Sequence, residues 1–374
     1  MSATMHVPTT EAELAEAIAS TQAPLAIQGG GTQGVSSDAG SALSLSGISG
    51  VTLYEPGALT LVARAGTPVA DITQMLDEEG QRLAFDPRDL RTVLGTDGIP
   101  TIGAVAAMNN SGPARVTAGA CRDFMLGVRF VDGQGEIISN GGRVMKNVTG
   151  YDLVKLLAGS HGTLGVLTEV SLKVLPKPDM TAVLLLNGLT DADAVAAMSD
   201  ALGSPFEVTG AARAQKGVDG HPVTMIRIEG FEDSVSYRLA NLKERLGRFG
   251  DVAVETDQAR TKAGWAWVRD CEVFQGVSGN LWRVSVKPSD APDLVARLAP
   301  DNALFDWGGG LVWMVLPPET DPRAQMVGVS GHATLVRGQG YGRFQPEAPG
   351  VAQLSAALRK KFDPRGILNP GLMG

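Results

Sequence analysis

The sequence predicts an α+β fold, and three observations carry that reading. The chain has 374 residues, enough for two domains of ordinary size. Short alternating runs with the period of strands are interleaved with stretches of helical period along its length. At Pro176-Lys177-Pro178 the chain is stiffened and denied a helix, and the character of the sequence changes beyond it. The composition is that of a globular protein, with 44% hydrophobic and 19% charged residues. Glycine is the anomaly: 47 residues against an average usage of about 7%, without a Gly-X-Y period. Such a surplus means many turns, or backbone held close against something.

Thr10 to Ser20 carries Leu14, Ala15, Ile18 and Ala19 at helical spacing after a Thr/Glu start, and Pro24 to Gln28 reads as a short strand. The strand feeds Gly29-Gly30-Gly31-Thr32-Gln33-Gly34, after which a Ser/Gly/Ala-rich passage without helical period runs to Ile48. Thr60 to Gly66 alternates as a strand, and Val69 to Glu79 places Val69, Ile72, Met75 and Leu76 on one helical face. Glycine is densest between Gly95 and Gly165, among strands expected at Phe124 to Asp132 and Gly135 to Ser139 and a helix at Tyr151 to Ala158. Val166 to Val174 alternates as a strand. Past the proline break, strands are expected at Ala182 to Leu186, Val223 to Glu229, Leu281 to Lys287 and Leu311 to Leu316. Helices at Asp191 to Leu202, Asp233 to Phe249 and Asp290 to Leu298 separate them, an α+β layer. Val351 to Phe362 is an amphipathic helix with a turn-rich tail behind it. No internal repeat is visible.

The net charge is −8, which argues against binding nucleic acid or an anionic membrane surface through phosphate neutralisation. Apolar stretches such as Ala182 to Leu186 fall far short of the roughly 20 residues that span a bilayer. The N-terminus has neither a basic start nor an apolar core, so no secretory signal is expected and the location is cytoplasmic. The two cysteines, Cys121 and Cys271, have no metal or redox spacing and are expected to be buried free thiols.

Gly29-Gly30-Gly31-Thr32-Gln33-Gly34 satisfies the G-x-G-x-x-G letters of a nicotinamide dinucleotide site. That site needs a helix immediately after the glycines, to present its N-terminal N–H groups to the pyrophosphate. Val35-Ser36-Ser37-Asp38-Ala39-Gly40 cannot be counted on to form one, so the Rossmann reading fails on context. A different use remains open: successive backbone N–H groups on a glycine loop form an anion-binding concavity without a helix, and Thr32 adds a hydroxyl. The alternative is an ordinary surface loop.

The loop is followed in order by Pro100-Thr101-Ile102-Gly103-Ala104, Asn109-Asn110-Ser111-Gly112-Pro113, Arg122-Asp123, Lys146-Asn147-Val148-Thr149-Gly150-Tyr151-Asp152-Leu153 and Gly159-Ser160-His161-Gly162-Thr163-Leu164-Gly165-Val166-Leu167-Thr168-Glu169. Phe362-Asp363-Pro364 and Asn369-Pro370-Gly371 complete the series. It resembles the vanillyl-alcohol-oxidase, or PCMH-type, FAD-binding flavoproteins, and within them the smaller FAD-binding subunits of bacterial glycolate oxidases. The resemblance implies a two-part PCMH-type FAD-binding domain at 1–178, an α+β, ferredoxin-like cap domain at 179–345, and a segment at 346–374 that returns to the first domain. It implies that Gln28, Gly29, Gly30, Gly31, Thr32 and Gln33 wrap the FAD pyrophosphate with main-chain N–H groups. Pro100, Thr101, Ile102 and Gly103, with Ser111 and Gly112, would line the ribityl and flavin side. Gly162, Gly165 and Val166 would meet the adenine half, and Asn369 would close the pocket.

The departures from the pattern are also informative. The glycine loop has no His to tether a flavin, so FAD is expected to be non-covalent. Ala104 stands where a second glycine is usual and trims the site by a methyl. His6, His161, His221 and His332 are too scattered to argue for a metal site. Oxidising a 2-hydroxy acid needs a cation for the carboxylate and usually a base for the hydroxyl proton. No residue is singled out for either task. His161 reads as a solvated loop residue or a base near the cofactor. Arg283 and Lys287 share one face of their strand, opposite Trp282, Val284 and Val286, and read as a solvated face. Trp265 and Trp267 read as packing, and Tyr151-Asp152 as a helix start.

The resemblance implies a subunit of a complex oxidising glycolate, a small 2-hydroxy acid, to glyoxylate. Its partners would be a paralogous flavin subunit and an iron–sulfur subunit that accepts the electrons, any membrane association being made through them. Two isolated cysteines cannot themselves ligate a cluster. A self-sufficient FAD-dependent oxidoreductase of another hydroxy acid or alcohol, and a non-catalytic structural subunit, stay open as alternatives.

Overall fold

The computed structural model describes residues 5–34, 41–143 and 150–373. The chain opens with β1 (Met5–His6), α1 (Glu11–Ser20), β2 (Leu25–Gln28) and β3 (Ser41–Ser44). Thr10 caps α1 by accepting the Glu13 N–H, and Leu14 and Ile18, one turn apart, are its buried face. The parallel sheet β1-β3-β2 puts a strand inside the Ser/Gly/Ala-rich passage that has no helical period. Then come β4 (Val51–Glu55), β5 (Thr60–Arg64), α2 (Val69–Glu78), β6 (Gln81–Arg82) and four short helices, α3 (Arg91–Leu94), α4 (Ile102–Ala107), α5 (Arg115–Ala118) and α6 (Cys121–Phe124). After these, β7 (Met125–Val131), β8 (Ile137–Gly141), α7 (Leu153–Leu157), β9 (Val166–Lys173) and β10 (Leu175–Pro176) complete this part. Strands β4-β5-β9-β7-β8 form an antiparallel sheet, and β6 pairs with β10. Ile72 and Leu76 of α2 are fully buried against this core, each worth about 1.5–3 kcal/mol of transfer free energy.

Beyond Pro176 the chain builds β11 (Met180–Asn187), α8 (Asp191–Leu202), β12 (Val208–Ala214), β13 (Val223–Gly230), α9 (Glu232–Leu246), β14 (Val252–Glu255) and α10 (Gln258–Arg269). It continues through β15 (Asn280–Val286), α11 (Ala291–Leu298), β16 (Ala303–Asp306), β17 (Leu311–Leu316), β18 (Gly331–Arg337) and α12 (Pro349–Phe362). Its strands form one antiparallel eight-stranded sheet, β14-β11-β13-β12-β16-β17-β15-β18. That order holds a repeat invisible in the sequence. The first half, β11-α8-β12-β13-α9-β14, is a ferredoxin-like βαββαβ unit. The second, β15-α11-β16-β17-β18, repeats its strand order in mirror image, with only the short turn Pro322–Gln325 where the second helix would stand. The halves join at β12 and β16 through two residue pairs, Arg213 with Phe305 and Ala214 with Leu304.

One face of this sheet packs on α8, α9 and α11, and receives Trp282, Val284 and Val286 of β15. The other face, with Leu281, Leu304 and Trp313, packs on α10 and on Leu90 and Val93 of the first part. Polar links reinforce that second junction. Arg88 is paired with Asp306, Arg82 with Glu229 at 2.7 Å and Arg227 with Asp86 at 3.1 Å. The Trp307 indole N–H donates to the Gly112 carbonyl at 3.0 Å.

After α12 the tail returns to the first part. The Leu25 N–H donates to Ile367 O at 2.8 Å and the Asn369 N–H to Leu25 O at 3.0 Å. Arg365 donates to Gly133 O and Ile18 O, both at 2.7 Å. Among the described residues, no helix is long and apolar enough to cross a membrane.

Candidate functional site

A cleft of about 310 Å³ lies between the end of β2, α4, the turn before β9 and the returning tail. Beside it, two backbones cross. The Ile99 N–H donates to Gly30 O at 3.1 Å, and a Cβ built on Gly30 would stand 1.7 Å from Ile99 O. Only glycine permits that approach. Gly31 follows in the left-handed region at φ +74°, with open space where a side chain would stand. Among the described residues, no acceptor takes the main-chain N–H groups of Gly31, Thr32 or Gln33. A run of successive main-chain N–H groups without an acceptor in the protein is the donor set of an anion cradle.

Thr101 precedes α4, and its buried hydroxyl caps nothing and has no hydrogen-bond partner. An orphaned buried hydroxyl is costly unless a ligand answers it. On the opposite wall, Asn369 Oδ1 accepts the Ile27 N–H at 2.7 Å while its Nδ2 donates to His161 O at 2.8 Å. One side chain of the tail thereby ties the two walls together. Of the two readings of His161, the solvated loop residue does not hold: it lines the cleft, its Nδ1 is buried without a partner, and its ring centroid lies 5.0 Å from that of Phe344 in a T-shaped arrangement. Burial, and secondarily the neighbouring Arg343, lowers its pKa to about 4. The imidazole is neutral near pH 7, and its proton affinity is too low for an efficient general base.

Of the residues singled out from sequence, Gln28, Gly29, Gly31, Thr32, Gln33, Thr101, Gly103, Gly162, Gly165, Val166 and Asn369 line this one cleft. Gly30, Pro100, Ile102, Ser111 and Gly112 do not. Gly30 forms the crossing, Pro100 O accepts the Val69 N–H, and Ile102 is in the core. Ser111 Oγ accepts the Cys121 N–H, and Gly112 O takes the Trp307 indole. Ile27, Leu45, Ala65, Ala104, Ala107, Met108 and Leu167 complete the apolar lining; of these, Ala104 and Leu167 fall within the motif series. The motif residues Lys146 to Thr149, and Val35 to Gly40 after the glycine loop, lie outside the described residues.

Arg283 departs from its expected place. The alternation does put it opposite Trp282 and Val284, but that face is covered. Arg283 lies half-buried over the Trp307 ring, 5.3 Å from its centroid, because the first part of the chain packs there. Lys287, at the strand end, is exposed. Trp265 is buried, with Arg227 over its ring, and Trp267 packs beside it. Asp152 caps α7 through the Lys155 N–H, and Cys121 and Cys271 are buried free thiols.

Comparison with known proteins agrees with this geometry. The FAD binding domain family model matches residues 3–141. Glycolate oxidase subunit GlcE of Escherichia coli (strain K12) is 34% identical over 328 residues, spanning 87% of this chain and 84% of that protein. Glycolate oxidase subunit GlcD of Bacillus subtilis (strain 168) is 35% identical over 127 residues, 34% of this chain and 26% of that protein. Among solved structures, 4-ethylphenol oxidase from Gulosibacter chungangensis superposes with a TM-score of 0.73 at 13% identity, over 98% of this chain and 88% of that one.

The family model and these relatives together define an FAD-dependent oxidoreductase with a PCMH-type FAD-binding domain and FAD as its cofactor. Within that class, the chain belongs to the family of glycolate oxidase subunit GlcE.

Proposed function

We propose that the chain is the FAD-binding subunit of a complex that oxidises glycolate, or another small 2-hydroxy acid, and passes the electrons to an iron–sulfur partner subunit. The observation that carries the reading is the glycine loop crossed by Ile99: Gly31, Thr32 and Gln33, whose N–H groups have no acceptor among the described residues, line a cleft that Thr101, with its orphaned hydroxyl, also lines. Support for the substrate class and the assembly comes from similarity along most of the length of GlcE.

In this reading Gln28 to Gln33 hold the FAD pyrophosphate through main-chain donors, without a covalent tether. Gly30 serves by letting the loop cross Ile99. Thr101 and Gly103, on a backbone fixed by Pro100, Ile102, Ser111 and Gly112, border the ribityl and flavin side. Gly162, Gly165 and Val166 border the adenine half, and Asn369 pins the tail across it. Bound FAD supplies a hydride acceptor. The protein's own contribution is to order the donors in advance and to keep water off the apolar wall of Ala104, Ala107 and Met108. The same reading divides the chain into an FAD-binding part at 1–178, a cap at 179–345 and a returning segment at 346–374.

The test is purification of the chain alone and together with its native partners, measuring flavin per protein and flavin bleaching on anaerobic glycolate addition. Yellow protein reduced by glycolate only in the presence of the partners is the expected result. Bleaching of the lone chain would make it a self-sufficient enzyme, and protein that neither carries nor takes up FAD would overturn the proposal.

A further inference from the structure

We propose that Arg115 and Arg283, gathered over the indole of Trp307 at the junction between the eight-stranded sheet and the first part of the chain, form a binding site for a small carboxylate. The proposal rests on the reading above and deepens it, by placing the anionic end of the substrate. Arg115 comes from α5 and Arg283 from β15, and their guanidinium carbons lie 4.6 and 5.3 Å from the centre of the Trp307 ring. Trp307 is itself held, its indole N–H bonded to Gly112 O.

The neighbouring cations are satisfied. Arg88 is paired with Asp306, Arg227 with Asp86, and Arg269 with Asp270. Arg115 and Arg283 are different: both are half-buried, and among the described residues neither has a carboxylate partner or a side-chain hydrogen bond. Burial comes first, then the like charges of Arg88 and Arg115, in lowering the pKa of Arg283 to about 10, so it stays cationic near pH 7. Burial likewise lowers Arg115, with Arg122 next.

Two half-buried like charges, held over one indole with no carboxylate partner among the described residues, are a cost that only the Trp307 ring offsets. A carboxylate would remove it, because a stacked, planar guanidinium leaves its N–H edge free for a bidentate pair. The sheet register adds hydroxyl and imidazole groups beside the arginines. On β18, Thr334 pairs with Arg283 and His332 pairs with Ser285, so all four side chains share one face. The site is also near the cleft along the chain, for Met108 lines the cleft and Gly112, four residues on, holds Trp307.

The experiment titrates the purified, flavin-loaded chain with oxalate, a small carboxylate with no CH–OH to oxidise, by calorimetry and tryptophan fluorescence. Flavin content is measured in every sample. Saturable binding is expected, weakened about tenfold or more by Arg283→Met or Arg115→Met and partly kept by Arg283→Lys. The same Arg283→Met change should leave the melting temperature of the ligand-free protein unchanged or raised, since it removes an unpaired buried charge. If Arg283→Met fails to fold, Arg115→Met carries the test. Absence of saturable oxalate binding, undiminished binding in the Arg115→Met/Arg283→Met double variant, or tighter binding of sulfate than of oxalate would overturn the assignment. Wild type that neither carries nor takes up FAD, yet binds oxalate through these arginines, would sink the cofactor reading and leave the site standing.

Discussion

Arg88 and Asp306, 218 residues apart in sequence, meet in an ion pair with side-chain exposures of only 3% and 0%. Arg88 also donates to Arg269 O at 2.6 Å and to Ser111 O at 3.1 Å, so one guanidinium gathers three segments at the junction. Asp306→Asn is expected to cost about 3–5 kcal/mol, because it leaves Arg88 buried without its counter-charge. Urea denaturation measures it. The Arg88→Met/Asp306→Leu pair should recover much of the loss, and a double variant as unstable as the single would show that the pair does not act as a unit.

Gly31→Val should empty the chain of flavin without unfolding it. The position has φ +74° and open space around it, so the substitution strains the backbone by roughly 1–2 kcal/mol and projects a branched side chain from the cradle. Flavin absorbance per protein should fall to near zero while the circular dichroism stays that of wild type.

The Thr101 hydroxyl should separate ligand from scaffold. Thr101→Val removes a buried group without a partner, so flavin-free protein should melt no lower than wild type. FAD affinity should nonetheless drop roughly tenfold, the worth of a hydrogen bond to a ligand in a closed site. Unchanged affinity in a fluorescence titration would remove Thr101 from the site.

His161 should make the flavin-free protein acid-labile. Its pKa falls from 6.5 in the unfolded chain to about 4 in the folded one, so between those values the unfolded state binds more protons. Stability from the neutral imidazole is complete above pH 6.5 and is lost as pH falls towards 4, at most roughly 3 kcal/mol. His161→Asn, which tolerates the left-handed backbone at φ 52°, should flatten that part of the stability-versus-pH curve. An identical slope in the variant would assign the acid lability elsewhere.

The sequence made α1, α2, β5, β9 and α8 legible, since each carries a clean period and a start or stop signal. It hid β12, whose Val208 to Ala214 run is mostly glycine and alanine, and α10, whose polar residues blur its apolar face. The doubled ferredoxin-like plan was invisible because the halves share a strand order while one of them trades a helix for the Pro322–Gln325 turn. The glycine loop was readable because a crossing as tight as Gly30 over Ile99 admits no other residue. Beyond Ala104, the apolar wall at Ala107 and Met108 is ordinary helix sequence and announces nothing. Alternation put Arg283 on its correct strand face but could not say what covers that face, since Arg115 and Trp307 come from distant parts of the chain.

The bond from Asn369 to His161 and Ile27 also bears on how the protein is made. Every other residue around the cleft leaves the ribosome before Asn369 does. A nascent chain can fold its first sheets and the whole eight-stranded sheet while the cleft still lacks the side chain that pins its walls together. In the proposed reading, cofactor capture would fall late in biogenesis, after the sheets that bury Arg88 and Asp306 have come together.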